Sequence, residues 1–222
     1  MGQLYLVRHA QASFGAADYD QLSALGERQS LRLGEYFAAK GIVFEAAITG
    51  SLRRHAQTFA GIAQGAHLDH TPLVLRGLNE YDSAAVIASA HPQPLPKPET
   101  PEAYRHYFRV LRHGLTQWAQ AAVAPEGMPT YADFVHGVRE AMDHVRRQHS
   151  GNVLMISSGG PIGSAVAHVL GAGADAAIDL NMRIRNTAVT EFSFNPKRHS
   201  LLGFNSVAHL DDARFADWVT YA

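Results

Sequence analysis

The sequence predicts an α/β fold: a three-layer α/β/α sandwich with a mostly parallel central sheet and a helical insertion over its carboxyl edge. Three observations carry that expectation. An apolar run, Leu4-Tyr5-Leu6-Val7, stops at Arg8-His9-Ala10-Gln11, as a buried strand does where the chain must turn. Strand-like and helix-like segments then alternate through residue 64, the order that builds a parallel sheet. After a long change of character, a second apolar run over 152–157 ends on Ser158-Gly159-Gly160-Pro161. Proline near a first helical position starts a helix there.

The elements follow in order. Ser23 is the expected N-cap of a helix whose apolar face includes Leu25, Leu33, Tyr36 and Phe37. Gly41 stands where a C′ glycine would end it. Residues 44–49 read as a short strand, 52–64 as a second helix, and Val74 marks a further strand. Pro92, Pro94, Pro96, Pro98 and Pro101 exclude helix interior and central strand. Two helices follow over 101–122 and 130–148. We read about 83–149 as a cap inserted in a single domain of 1–222, placed where it can shape substrate choice. Residues 187–194 and 201–205 flank Asn195-Pro196-Lys197 as an antiparallel pair at one edge.

Composition narrows the function. The 222 residues carry a net charge of −1, which provides no basic footprint for nucleic acid or an anionic membrane. Any anion site must be local, built from a few converging side chains. The absence of cysteine excludes disulfides, thiolate zinc sites and cysteine nucleophiles. Met1-Gly2-Gln3 lacks the basic start of a signal peptide, and no apolar run reaches the roughly 18–20 residues of a membrane span. The expectation is a cytoplasmic protein, with room for a homodimer.

At the end of the first strand, an arginine beside a histidine suits phosphoryl chemistry. A guanidinium grips phosphate oxygens in a fork, and a neutral imidazole nitrogen can attack phosphorus. Arg8-His9-Ala10-Gln11 resembles the signature of the histidine phosphatase (phosphoglycerate mutase-like) superfamily, which usually reads Arg-His-Gly-Glu or Arg-His-Gly-Gln. The segment from Thr49 to Thr58 resembles that family's Ser-x-Leu-x-Arg-x-x-Gln-Thr, which places its phosphate-binding arginine at Arg54. Adjacent helical side chains diverge by about 100°, so Arg53 becomes the solvated neighbour. Leu78-Asn79-Glu80 resembles the family's Leu-x-Glu, whose glutamate is a general acid and base, with Asp82 as the nearby rival. Asn186-Thr187-Ala188 and Leu22-Ser23-x-x-Gly26 match two structural segments, so the resemblance runs from residue 4 to about 190.

The resemblance implies a phosphomonoesterase with His9 as nucleophile, Glu80 as acid and base, and Arg8 and Arg54 on the phosphate. Gln11, Ser13 and Asn186 are secondary candidates. The implied partner is a small phosphorylated substrate, and neither a metal nor a cofactor is called for. One position departs. Where the family reads Ser-His-Gly, with a histidine that donates to the phosphoryl oxygens, this chain has Ser157-Ser158-Gly159. Ser158 and Gly159 are assigned to residual phosphate binding at a helix N-terminus. Losing one preorganised donor costs about a hundredfold to a thousandfold in rate. Restoring histidine at 158 is therefore expected to raise turnover, unless His106, His113 or His136 already covers the role. Ala10, Ala12 and Gly50 also replace the family's usual residues.

Other readings are open to discrimination. A phosphate-ligand binder without turnover is motivated by Ser158 and Ala12. A phosphoglycerate mutase-type transferase is disfavoured because Tyr81-Asp82-Ser83-Ala84 replaces Arg-His-Tyr-Gly after Leu78-Asn79-Glu80. A serine-hydrolase elbow at Ser157 or Ser158, with His199 or His209 as base, meets bulky Met155 and Ile156 where a small residue is needed. His67 and His70 lie in a short polar link unsuited to a metal site, and Gly171-Ala172-Gly173 follows a late helix rather than the first strand.

Overall fold

The computed structural model describes residues 1–13, 20–91, 93, 95–96 and 98–221; Pro92 and Pro94 of the proline-rich stretch lie outside these. Strand β1 (Gly2–Arg8) sits inside a sheet with β2 (Ala46–Thr49), β3 (Leu73–Val74), β4 (Asn152–Ser157), β5 (Val189–Asn195) and β6 (Arg198–Ser206). The order is β3-β2-β4-β1-β5-β6. The first four run parallel, and β5 and β6 form the expected antiparallel edge.

Alternation along the strands divides the core into two faces. Tyr5 and Val7 of β1, with Leu154 and Ile156 of β4, meet Leu33 and Phe37 of helix α1 (Ala24–Ala39) and Phe59 and Ile62 of α2 (Arg53–Ala66). Leu4, Leu6, Val153 and Met155 face the other way. They meet α5 (Tyr131–Gln148) through Val138 and Met142, and α6 (Gly159–Leu170) through Ile162 and Val166. Continuous apolar runs are what a sheet covered on both sides requires.

Within the expected insertion of 83–149, α5 therefore serves two sides: Val138 and Met142 cover the sheet, while Tyr131 and Phe134 pack on Trp118 in the cluster built by α3 (Ser83–Ala90) and α4 (Pro101–Ala119). These two pack with α7 (Ala174–Asn181) through Val86, Ile87, Leu111, Leu115, Trp118 and Ile178. Helices α3 and α7 escape the sequence reading because each is only eight residues long. In α3, moreover, apolar residues fill nearly every position, leaving no 3.6-residue period to detect. None of the helices among the described residues is long and apolar enough to cross a membrane.

Helices α1 and α2 touch backbone to backbone. A Cβ on Gly65 would lie 2.3 Å from the Leu31 carbonyl oxygen and 2.7 Å from the Glu35 nitrogen. A Cβ on Gly34 would lie 2.2 Å from the Ile62 oxygen. No side-chain rotation relieves such contacts. Helix propensity alone would make Gly65→Ala stabilising by about 1 kcal/mol. We expect instead a loss of about 1–3 kcal/mol from overpacking, read as a lowered urea midpoint.

Candidate active site

The parallel register places Arg8 opposite Ser157, so the turns after β1 and β4 lie side by side. The His9 N–H donates to the Ser157 carbonyl at 2.8 Å, and Asn186 Nδ2 donates to the His9 carbonyl at 3.2 Å. Ala10 N–H donates to Thr58 Oγ1 at 3.0 Å, tying the turn to α2. The His9 ring is fixed by its own backbone: Nδ1 lies 2.8 Å from the Ala10 carbonyl oxygen. A carbonyl only accepts, so Nδ1 carries the proton and Nε2 keeps its lone pair. Burial, with Arg8, Arg54 and His55 nearby, holds the His9 pKa well below the usual value. The ring is neutral at physiological pH.

A cavity of about 620 Å³ opens at this point, lined by Arg8, His9, Arg54 and Glu80. Arg8 Nη1 donates to the carbonyls of Ile184 and Tyr221, so the C-terminal segment holds the guanidinium. Arg54 enters from the first turn of α2, where it is buried, whereas Arg53 is exposed. Asp20 caps this helix start. Its carboxylate accepts from the Arg53 N–H at 2.8 Å and from Arg54 Nη1 at 2.8 Å. Glu80 follows a 3₁₀ turn over Arg76–Leu78, and its two carboxylate oxygens share the Gly160 N–H at 3.1 and 3.2 Å. Burial raises the Glu80 pKa, opposed by the Gly160 N–H, Arg54 and Arg8. Asp82, the rival carboxylate, is spent on capping α3, accepting from the Ala84 and Ala85 N–H groups.

The other sequence candidates lie off the cavity lining. Gln11 accepts from Ser23 Oγ at 2.7 Å and Ser13 Oγ donates to the Leu22 carbonyl, so both anchor the approach to α1. Asn186 secures the His9 backbone and accepts from Thr220 Oγ1 at 2.9 Å. Ser158 and Gly159, at the start of α6, are buried behind the lining. Ser158 Oγ lies 2.7 Å from Nε2 of His55, a residue the sequence reading passed over. The lining also lacks His106, His113 and His136. The serines and the two histidines bond or pack elsewhere: Ser157 Oγ donates to the Leu78 carbonyl, His209 Nε2 bonds Thr187 Oγ1, and the His199 ring lies against Phe194. His67 ends α2 in a left-handed conformation and His70 Nε2 donates to the Phe44 carbonyl, so they share no site.

The family model of the histidine phosphatase superfamily (branch 1) matches residues 4–207. Among curated proteins none matches significantly. Several solved structures share the fold. A phosphoserine phosphatase from Entamoeba histolytica, in complex with 3-phosphoglyceric acid, is 20% identical with a TM-score of 0.67, covering 95% of this chain and 100% of its own. A mycobacterial glucosyl-3-phosphoglycerate phosphatase with inorganic phosphate has the same identity, TM-score and coverage. A phosphoglycerate mutase from Bacillus anthracis is 15% identical, with a TM-score of 0.63 and 94% of each chain covered.

Buried neutral histidines impose a pH dependence on stability. Burial holds His55 and His209 at about 3 in the folded protein, against 6.5 when exposed. Below pH 6.5 the unfolded chain therefore binds protons that the native state refuses, and stability falls as pH drops toward 3. Glu80, raised by burial, opposes this trend. Each such histidine contributes up to about 1.4 kcal/mol per pH unit. Urea unfolding between pH 6.5 and 4.5 should show this slope, and His209→Gln should flatten it by up to one proton.

Proposed function

Because the chain belongs to the histidine phosphatase superfamily, we propose that it is a phosphomonoesterase that hydrolyses a small phosphorylated metabolite through a phosphohistidine on His9. One observation carries the reading. The Nδ1–H bond to Ala10 leaves the unprotonated Nε2 on a ring that lines the same cavity as Arg8, Arg54 and Glu80.

In this reading His9 Nε2 attacks phosphorus, and Arg8 and Arg54 take the charge on the nonbridging oxygens. The bond to the leaving oxygen breaks as protonated Glu80 delivers its proton to it. The Glu80 carboxylate then accepts a proton from water. That water attacks phosphorus, the N–P bond breaks, and inorganic phosphate leaves. Every step is assigned to a side chain, so the scheme calls on no metal. Glu80 suits both halves: burial favours its acid form, while Gly160 N–H and two arginines support the carboxylate.

The cavity exceeds what phosphate alone fills. Tyr81, Tyr107, Phe108, Leu111 and Met182 also line it, interleaved with Arg105, Arg109 and Arg112, which supports a leaving group that combines a ring or short apolar surface with polar or anionic groups. A binder without turnover is favoured by one observation, the Asp20 carboxylate on Arg54, where a phosphate must compete.

Hydrolysis of an aryl phosphate in the presence of chelator separates the two readings. We expect turnover, an acid-labile phosphoenzyme after rapid quench, and loss of both in His9→Ala. Activity that survives His9→Ala sinks the nucleophile assignment. Glu80→Gln should reduce turnover of an alkyl phosphate by about 10²–10⁴-fold and of a nitrophenyl phosphate much less, because the latter leaving group needs no proton. Equal losses on both would remove Glu80 as the acid.

A further inference from the structure

Three unusual residues of the sequence meet at one point behind His9. His55 is fully buried in the first turn of α2, and its ring centroid is 5.8 Å from that of His9. Its Nε2 lies 2.7 Å from Ser158 Oγ, and Ser158 is equally buried. Nδ1 is buried with no hydrogen-bond partner among the described residues. A Cβ at Gly50 would lie 2.3 Å from that Nδ1, so only glycine at position 50 admits this ring. The backbone nearby is ordinary: Ser158 is extended, with φ −122° and ψ 174°.

An orphaned polar atom in a core costs about 1–3 kcal/mol. Packing alone would be better served at position 55 by an apolar side chain. The unpartnered Nδ1 also selects the tautomer. An N–H there would be a stranded donor, so the proton resides on Nε2 and is donated to Ser158 Oγ. The serine hydroxyl proton is then free to turn elsewhere. Ser158 directly follows Ser157, whose carbonyl holds the His9 N–H. The imidazole and the serine therefore brace the same turn from behind.

We infer that His55 is a positioning residue for His9: the site's second imidazole, supplied from α2, admitted by Gly50 and latched by Ser158. This goes beyond the phosphatase reading while resting on it. It also revises the expectation for position 158. The space in front of Ser158 is filled, so Ser158→His alone clashes with His55 and lowers turnover. The imidazole missing at position 158 is answered by one at position 55 that braces His9 rather than donating to the phosphate, with Ser158 and Gly50 as the accommodating changes.

Besides burial, the groups that set the protonation of this pair are Arg8, Arg54, His55 and the Ala10 carbonyl around His9, and Arg54 around His55. Truncating His55 lets water reach the back of His9, which relieves the burial that keeps its pKa low. The acid limb of kcat/KM then moves up in pH, a change that loss of packing elsewhere would not produce.

The test is a residue exchange. His55→Ala should lower kcat about tenfold to a hundredfold with a smaller change in KM, and raise the acid limb. Ser158→His in the native background should be no better. The double variant His55→Ala/Ser158→His should recover activity to within about threefold of the native enzyme, a non-additivity that marks one shared volume. Gly50→Ser should lower the melting temperature of the native protein but not of the double variant. Orthovanadate affinity, measured by calorimetry on the same variants, must follow the same loss and recovery. If the native protein hydrolyses nothing and forms no phosphoenzyme, the phosphatase reading fails and vanadate affinity alone decides this inference. A folded His55→Ala with native kcat, pH limb and vanadate affinity overturns it, as does a folded double variant no better than His55→Ala. Labelling of Ser158 by a fluorophosphonate would also overturn it, by making the pair a nucleophile and its base.

Discussion

The site depends on one short-range bond, from His9 Nδ1–H to the carbonyl of Ala10. A buried imidazole has two nitrogens to satisfy and can rotate about two bonds. Spending Nδ1 on the neighbouring carbonyl fixes the ring and leaves Nε2 as the sole basic atom. The bond works only if the Ala10 peptide is itself immobile. Thr58 Oγ1 receives the Ala10 N–H and Ser157 receives the His9 N–H, so α2 and β4 both hold the turn. Helix packing and sheet register thus converge on the orientation of a single ring.

Around that ring the charges are arranged in opposition. Two arginines lie beside a histidine whose burial already disfavours protonation, which secures a neutral nucleophile. The same arginines lie near Glu80, where they offset burial rather than reinforce it. One pair of cations therefore drives the imidazole away from its charged form and draws the carboxyl toward its own. Gly160 completes the arrangement: a Cβ there would lie 2.3 Å from Glu80 Oε1, so its lack of a side chain lets the helix N–H reach the carboxylate.

Much of this was legible in the sequence because it is written in local patterns. Apolar runs that stop abruptly gave β1 and β4, and a proline at a helix start gave α6. Arg8, His9, Arg54 and Glu80 stand in recognisable spacings, and the fold brings them onto one cavity. Less legible were features fixed by tertiary contact. Helix α5 has the amphipathic pattern of any surface helix, and only the fold shows that it covers the sheet as well as touching the cap. The Asp20 cap on α2 joins residues more than thirty apart. The hold of Tyr221 on Arg8 spans nearly the whole chain, and nothing in the composition of the last residues announces it.

His55 marks the boundary between the two kinds of information. It lies inside a segment that the sequence singles out, one residue from Arg54, yet a motif read for its arginine treats the next position as filler. The departures at Gly50 and Ser158 look separately like losses: a missing hydroxyl and a missing imidazole. Together they are complementary, because the space that one vacates and the hydroxyl that the other retains both belong to the His55 ring. Substitutions a hundred residues apart can offset each other only where the fold makes them neighbours. Here the parallel register of β2 with β4 does so, setting Thr49 opposite Ile156 and bringing the two turns beyond them together. The same register that gathers nucleophile, cations and acid therefore sets an imidazole from α2 behind the nucleophile, beside the turn whose own imidazole is missing.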